Sequence, residues 1–488
     1  MSITPLCRYD TAQSLRSVTR DRDQEVKLSH SHAPMRPRQR ATAGSLVGLA
    51  LGLCVSGSRS TAFLTSRVLT LFPSSRPLRF VAATKTMGPV QSALRVLVPY
   101  PKLREALPGP YGCVGSLVRT RLHDTCCAAT ISFPAEAGGK YVGARVPYWS
   151  PEAVDGLADY IRTNSTAATA VLSTLSRQFH PSPAGLRVLP PERREGWPVI
   201  VFSHGLAGCA DMYTDLCRCL ASFGYIVIAL EHEDGSGVHA AGASGQFIRY
   251  KRPDSTPYSR EKVTRFRAGF VEQRVTEMDR VLWAVHNGGA DGAGGQAGEG
   301  GGVTELLRSS DSSHVSLVGH SFGAAGAFVA AARLGEKYPL KLAALLDAWA
   351  FALPDSTLES QTAGQVPLVS VLSEEWTRSQ ELFAVDTLLA AARGAGRLKG
   401  SYAIARSVHQ SFSDTQLWLP GFITERLRMK GQGEIRGSTH ALTAQTIHAH
   451  IRAENEGRQT PERLPSGSLL EYLPAAAANV TAGTAATP

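Results

Sequence analysis

His314-Val-Ser-Leu-Val-Gly-His-Ser321-Phe-Gly-Ala-Ala-Gly-Ala-Phe-Val-Ala-Ala-Ala-Arg333 carries the strongest structural signal in the chain. Positions 315–318 form a short apolar run suited to a buried strand. Gly319-His-Ser321-Phe-Gly323 follows at once. An alanine-rich run of high helix propensity comes next, with no proline until Pro339. Strand, glycine-bracketed serine and helix in that order predict a sharp turn with an exposed serine hydroxyl. The two glycines remove Cβ atoms that would collide with the neighbouring strand and helix. The helix N-terminus points free N–H groups at any negative charge that develops there. Ser321 is the candidate nucleophile.

A serine nucleophile needs a base, and the base needs an orienting acid. In this strand–turn–helix architecture the chain order is serine, acid, histidine. Leu342-Ala-Ala-Leu-Leu-Asp347-Ala-Trp reads as the next buried strand with Asp347 at its C-terminal end, where side chains line the crevice of a parallel sheet. Asp355, after Pro354, is the competing acid and ranks lower. For the base, His409 lies in a loop, Arg406-Ser-Val-His409-Gln-Ser-Phe-Ser-Asp414. His440, His448 and His450 are rivals. The last two fall in a helical segment where an exposed or capping role is expected.

Two N–H donors are needed for an oxyanion. Phe322, just after the nucleophile, supplies one. Pro198-Val-Ile-Val-Phe-Ser-His204-Gly205-Leu206-Ala-Gly208 reads as a strand running into a glycine-spaced turn, and Leu206 is the candidate second donor. Strands near 199, 226, 316, 343 and 367 alternate with helices. The expected fold class is α/β, a doubly wound and mostly parallel sheet.

The chain has 488 residues, 43% hydrophobic and 19% charged, which excludes collagen-like, coiled-coil and wholly disordered classes. Its net charge of +10 is uneven: residues 1–107 hold 16 Lys and Arg against 5 Asp and Glu. The body is therefore close to neutral, which argues against a nucleic-acid partner. The eight cysteines are too sparse for a disulfide scaffold and lack the paired spacing of a structural zinc site. No metal or other cofactor is called for; His30-x-His32 lies in the leader.

Residues 1–107 read as a disordered targeting leader. Its uncharged segment 41–58 has an apolar core at 46–55, the length of a signal-peptide core, after the basic Arg36-Pro-Arg38-Gln-Arg40. Met35 offers an alternative start. The Arg/Ser/Thr-rich segment 59–107 resembles a transit peptide. Together they suggest the secretory pathway or an organelle, with a plastid reached by a two-part leader as one case and a membrane anchor at 41–58 as the alternative. The catalytic body is expected at 108–456. Residues 287–302, with nine glycines in 16, form a flexible insertion, and 457–488 form a low-complexity tail. A helix over 152–180 would place Val154, Leu157, Ala158 and Ile161 on one face, against a core or a lipid surface.

Taken together, Val201-Phe-Ser-His-Gly-Leu206, Gly319-His-Ser-Phe-Gly323, Leu346-Asp-Ala-Trp349, Pro367-Leu-Val-Ser-Val-Leu-Ser373 and Ser407-Val-His-Gln410 resemble the platelet-activating-factor acetylhydrolase family. This is the plasma/type II, calcium-independent phospholipase A2 branch of the α/β-hydrolase fold. The resemblance implies Ser321 as nucleophile, Asp347 as orienter, His409 as base, and Leu206 and Phe322 as oxyanion donors. It implies hydrolysis of a short or oxidised sn-2 acyl ester of a glycerophospholipid, at a lipid surface and without metal. The sequence departs from the family in Gly-Ala-Ala after Phe322, in the acidic Glu231-His-Glu-Asp234 block, and in a small segment at 152–180. That segment leaves open a chlorophyllase-like or dienelactone-hydrolase-like esterase. A catalytically dead binding module is disfavoured by the intact Ser321, Asp347 and His409 set. Oligomeric state is not encoded in any motif.

Overall fold

The computed structural model describes residues 15–17 and 103–472, apart from 105, 137–145, 163–171, 183–185, 254–258, 289–299, 360–365, 420, 462 and 466–467. The apolar segment 41–58, nearly all of the leader and the end of the tail lie outside the described residues. The strands are β1 (Leu15–Ser17), β2 (Val114–Thr120), β3 (Ala129–Pro134), β4 (Trp197–Ser203), β5 (Ile226–Leu230), β6 (His239–Ala241), β7 (Phe247–Arg249), β8 (Ser310–His320), β9 (Leu340–Leu346), β10 (Leu368–Ser373), β11 (Leu398–Ile404) and β12 (Leu469–Tyr472). The helices are α1 (Pro151–Tyr160), α2 (Thr214–Ala221), α3 (Arg260–Asn287), α4 (Gly300–Arg308), α5 (Phe322–Leu334), α6 (Asp355–Glu359), α7 (Leu382–Gly394), α8 (Gly421–Arg426) and α9 (Ser438–Asn455).

The main sheet runs β1-β12-β11-β10-β9-β8-β4-β5-β3-β2, with β6 and β7 a separate hairpin. The central block from β11 to β5 is parallel, and antiparallel strands close both ends. This is the expected doubly wound α/β fold. Central strands buried on both faces need near-continuous apolar runs; 342–346 supplies one, and 368–372 another that only Ser370 interrupts. Val199, Val201, Leu317 and Leu345 face one cluster with Met278 and Val281 of α3 and Phe328 of α5. Ile200, Phe202, Val318 and Leu346 face the other with Leu216 and Leu220 of α2 and Ile447 and Ile451 of α9.

Register lines up the strand ends. Ser203 pairs with Gly319, His320 with Leu346, Leu346 with Val371, and Ser373 with Ile404. The segments that leave these ends, 204–206, 321, 347 and 405–409, therefore meet above one edge of the sheet, where parallel α/β sheets place their sites.

Some boundaries differ from the sequence reading. Leu103, Arg104 and Leu107, read as the end of the leader, pack on the body: Arg104 N–H donates to Asp215 Oδ1 at 3.0 Å. Leu469–Tyr472, read as tail, forms β12 and pairs antiparallel with β11. Asn287 closes α3 and Gly300 opens α4, so both ends of the glycine-rich stretch are helical. Residues 152–180 are not one helix. Ser150 caps α1 and Pro151 opens it, which fixes its start. α1 ends at Tyr160, and a 3-10 turn at Leu175–Arg177 follows after residues outside the description. Val154 and Leu157 are core residues, whereas Ile161 is exposed. No helix among the described residues is long and apolar enough to cross a membrane. The six described cysteines are free, and five of them are buried. Burial raises the thiol pKa of those five, which suits inert packing residues.

A charged pair lies deep in this fold. Arg274 of α3 is 0% exposed, and its Nε donates to Asp234 Oδ2 at 2.9 Å. Its Nη1 donates to the His204 carbonyl at 2.6 Å and to Ser203 Oγ at 3.1 Å. Removing one partner of a buried pair strands the other charge, at about 3–5 kcal/mol. Arg274→Met is expected to lower unfolding free energy by that order in urea denaturation. Arg333→Met, which breaks the exposed pair with Glu272, is expected to change it by no more than about 1 kcal/mol.

Candidate active site

The turn after β8 is as tight as the sequence requires. Ser321 has φ 56° and ψ −119°. A Cβ on Gly323 would sit 2.1 Å from the Ser203 carbonyl oxygen, and one on Gly319 would sit 2.3 Å from the Gly323 oxygen. The strained serine is tied down on both sides. Its N–H donates to Leu346 O at 2.8 Å, and its carbonyl accepts from Trp349 N at 3.0 Å.

Ser321, Asp347 and His409 come together. His409 Nε2 lies 3.1 Å from Ser321 Oγ, and His409 Nδ1 lies 3.0 Å from Asp347 Oδ2. Asp347 follows β9 directly and is 0% exposed. Its Oδ1 accepts from Ser373 N at 2.6 Å and its Oδ2 from Ser373 Oγ at 2.6 Å. Burial pushes its carboxyl above the usual carboxylate range, and the bonds from His409 and Ser373 draw it back. The contact with Asp347 leaves Nε2 as the ring nitrogen facing Ser321. The His409 ring is stacked against Trp376, with centroids 4.4 Å apart and planes 20° apart, and His320 lies 4.6 Å away on another side.

The two candidate donor residues border the serine or its cavity. Phe322 is the first residue of α5, so its N–H has no acceptor within the helix. Leu206 sits in the turn after β4 and lines the same cavity as Ser321 and His409. That cavity has a volume of about 350 Å³. Leu157, Leu175, Met212, Trp418, Leu427 and Met429 form much of its wall, and no charged side chain lines it among the described residues. Such a site suits an uncharged, apolar group held beside a reactive serine. His320, Asp347 and His409 are the one set of metal-capable side chains among the described residues. Two of them are already joined in the hydrogen-bond chain to Ser321.

The rival residues lie elsewhere. Asp355 is at the surface, paired with Arg260 at 2.5 Å. His448 and His450 are not capping groups, as α9 packs them inward. His448 stacks on Phe223 and bonds Tyr225 OH at 2.9 Å, and His450 Nε2 bonds Tyr402 OH at 2.9 Å. His440 is buried and bonds Asp215 Oδ2 at 2.9 Å.

Sequence reasoning missed several supporting residues. Ser373 ends β10, and only the sheet register reveals that it faces Asp347. Tyr213 OH accepts from Gly205 N at 3.1 Å and lies 2.8 Å from His320 Nδ1, joining the two turns that flank the cavity. A second serine–histidine–acid chain exists: Ser203 Oγ to His232 Nε2 at 2.7 Å, and His232 Nδ1 to Glu277 Oε2 at 2.6 Å. Ser203 is 0% exposed and already contacts Arg274, so no substrate reaches it.

The family model "Platelet-activating factor acetylhydrolase, isoform II" matches residues 111–454. A platelet-activating factor acetylhydrolase from Gallus gallus is 27% identical over 266 residues, covering 49% of this chain and 57% of that protein. The protein of the same name from Bos taurus is 28% identical over 243 residues, covering 45% and 49%. The match thus spans about half the length of these relatives. Among solved structures, a ferulic acid esterase from Streptomyces cinnamoneus aligns with a TM-score of 0.48 at 19% identity, covering 76% of this chain and 96% of that one.

Behind His409, Asp414 accepts from Tyr148 OH at 2.8 Å and from Asp215 N at 3.2 Å. Burial pushes its carboxyl up to about 7, with His440 opposing and Asp215 adding to the rise. A carboxyl whose folded pKa is raised stabilises the fold below its unfolded value near 3.9 and loses that contribution as pH rises through about 7. Burial disfavours charge on His440, but Asp215 prevails and raises its pKa, so this group also loses stability as pH rises. Asp414→Asn removes the first effect. Between pH 5.5 and 8.5, wild type is expected to lose on the order of 1–2 kcal/mol relative to the variant. Urea midpoints at the two pH values measure this, and parallel pH dependence of the two proteins would contradict it.

Proposed function

Because the chain belongs to the platelet-activating factor acetylhydrolase isoform II family, we propose that it is a serine esterase that removes a short or oxidised sn-2 acyl group from a glycerophospholipid. One observation carries this reading: the hydrogen-bonded line from Ser321 through His409 to Asp347 opens on a largely apolar cavity that, among the described residues, has no charged side chain in its lining. An acyl group fits such a cavity, and a phosphate-bearing headgroup stays at its mouth.

In the proposed reaction His409 Nε2 takes the proton from Ser321 Oγ as that oxygen attacks the ester carbonyl. Asp347 holds His409 Nδ1–H, fixes the ring and stabilises the imidazolium that forms. The N–H groups of Leu206 and Phe322 receive the oxyanion, and each donor is worth about 3–4 kcal/mol when lost. The imidazolium returns its proton to the leaving glyceryl oxygen, and the lysophospholipid departs. Water, activated by the same base, then frees the serine as the carboxylic acid leaves. No step requires a metal ion. The basic leader is proposed to route the chain into the secretory pathway or an organelle, and the phospholipid partner is met at a lipid surface.

The test is hydrolysis, in EDTA, of a phosphatidylcholine carrying sn-2 acetyl beside one carrying sn-2 palmitoyl. The acetyl ester is expected to be cleaved at least about 100-fold faster, and Ser321→Ala to lower its rate by at least about 10⁴-fold. Equal rates on both lipids would overturn the acyl preference. Turnover of a simple aryl ester with neither lipid cleaved would move the assignment to another esterase of the same fold.

A further inference from the structure

The Leu206 N–H is useful only if its peptide plane is held before substrate arrives, since a preorganised donor avoids reorganisation during reaction. The turn that carries it is not rigid by itself. It is a short loop after β4, with Ala207 at φ 56°. The peptide in question joins Gly205 to Leu206, and its carbonyl and N–H point in opposite directions, as in any trans peptide. Whatever grips the Gly205 carbonyl therefore aims the Leu206 N–H.

Two donors grip it. His204 Nδ1 lies 2.8 Å from Gly205 O, and Gly208 N–H donates to the same oxygen at 3.0 Å. A carbonyl oxygen only accepts, so His204 must carry its proton on Nδ1. Nε2 is then the acceptor, and the His232 N–H lies 3.4 Å from it. The ring is 0% exposed, and burial together with Arg274 holds its pKa well below the ordinary value, so it stays neutral. The preceding peptide is pinned from both ends. Its His204 carbonyl accepts from Arg274 Nη1, and its Gly205 N–H donates to Tyr213 OH. Gly205 itself is pressed against the nucleophile: a Cβ there would sit 3.2 Å from Ser321 Cβ. The N–H of Leu206 has no bonded protein acceptor among the described residues.

We propose that His204 is a positioning residue, whose Nδ1–H holds the Gly205–Leu206 peptide so that the Leu206 N–H faces the substrate oxygen at Ser321. It touches no substrate, and it acts through the Gly205–Leu206 peptide that follows it in the chain. The inference rests on the reading of Ser321 as nucleophile with Leu206 as an oxyanion donor. It does not depend on which ester is the natural substrate.

Two substitutions separate the hydrogen bond from the bulk of the ring. In His204→Asn the side-chain amide nitrogen falls near the position of Nδ1, whereas in His204→Gln it falls near Nε2. Full-length proteins are assayed on p-nitrophenyl acetate, with rates normalised to active sites titrated by a fluorophosphonate, so that unfolded material does not count. His204→Gln is expected to lose about 10- to 100-fold in kcat with KM within about threefold, and His204→Asn to stay at least about fivefold more active than His204→Gln. A smaller gap between the two variants, or wild-type kcat in His204→Gln, would overturn the proposal. Should neither variant fold, the ¹⁵N spectrum of histidine-labelled wild type decides: Nδ1–H at His204 supports the proposal and Nε2–H overturns it. Ser321→Ala is the separate control. Full activity there would sink the nucleophile assignment, whatever the His204 variants do.

Discussion

Ser321 is held at φ 56°, where a residue with a Cβ is strained, and the surrounding structure is organised to keep it there. The turn cannot form unless α5 approaches β4 so closely that Gly323 lies against the Ser203 carbonyl. It stays formed because the Ser321 backbone bonds the end of β9 on one side and Trp349 on the other. Those bonds do more than hold the serine. Leu346 and Trp349 flank Asp347, so the same contacts that stabilise the strained turn also fix where the carboxylate emerges. His409 is then placed by its bond to Asp347 and by the face of Trp376.

The polar groups beneath the site carry a second part of the design. Arg274 is fully buried, yet each of its three side-chain nitrogens has a protein partner, and it lies 4.7 Å over the Phe322 ring. Asp215, His440, Asp414 and Tyr148 form a comparable network under the loop that bears His409. Such networks add little net stability but tolerate few alternative arrangements. They hold the two loops that carry His204 and His409.

Much of this was legible in the chain. The strand–glycine–serine–glycine–helix order requires a sharp turn, and the apolar runs at 342–346 and 367–372 mark buried parallel strands. Asp347 stood out because a carboxylate ending an apolar strand needs a partner. What was not legible depends on register and on long-range packing. Ser373 meets Asp347 only because β10 lies beside β9 in one register. Arg274 sits midway along a helix with no local pattern to mark it. His448 and His450 looked peripheral from their position, but α9 folds back on α2 and turns them inward. β12 was hidden because four residues in a biased tail form a strand only when the edge of β11 is there to pair with them.

The central claim is that Ser321, and no other serine, is the reactive residue. The most direct measurement is peptide mass mapping of the full-length protein after reaction with a fluorophosphonate. A single adduct is expected on the peptide that contains Ser321, with none on Ser203 despite its own histidine and glutamate partners. An adduct on another serine, with Ser321 unmodified, would contradict it.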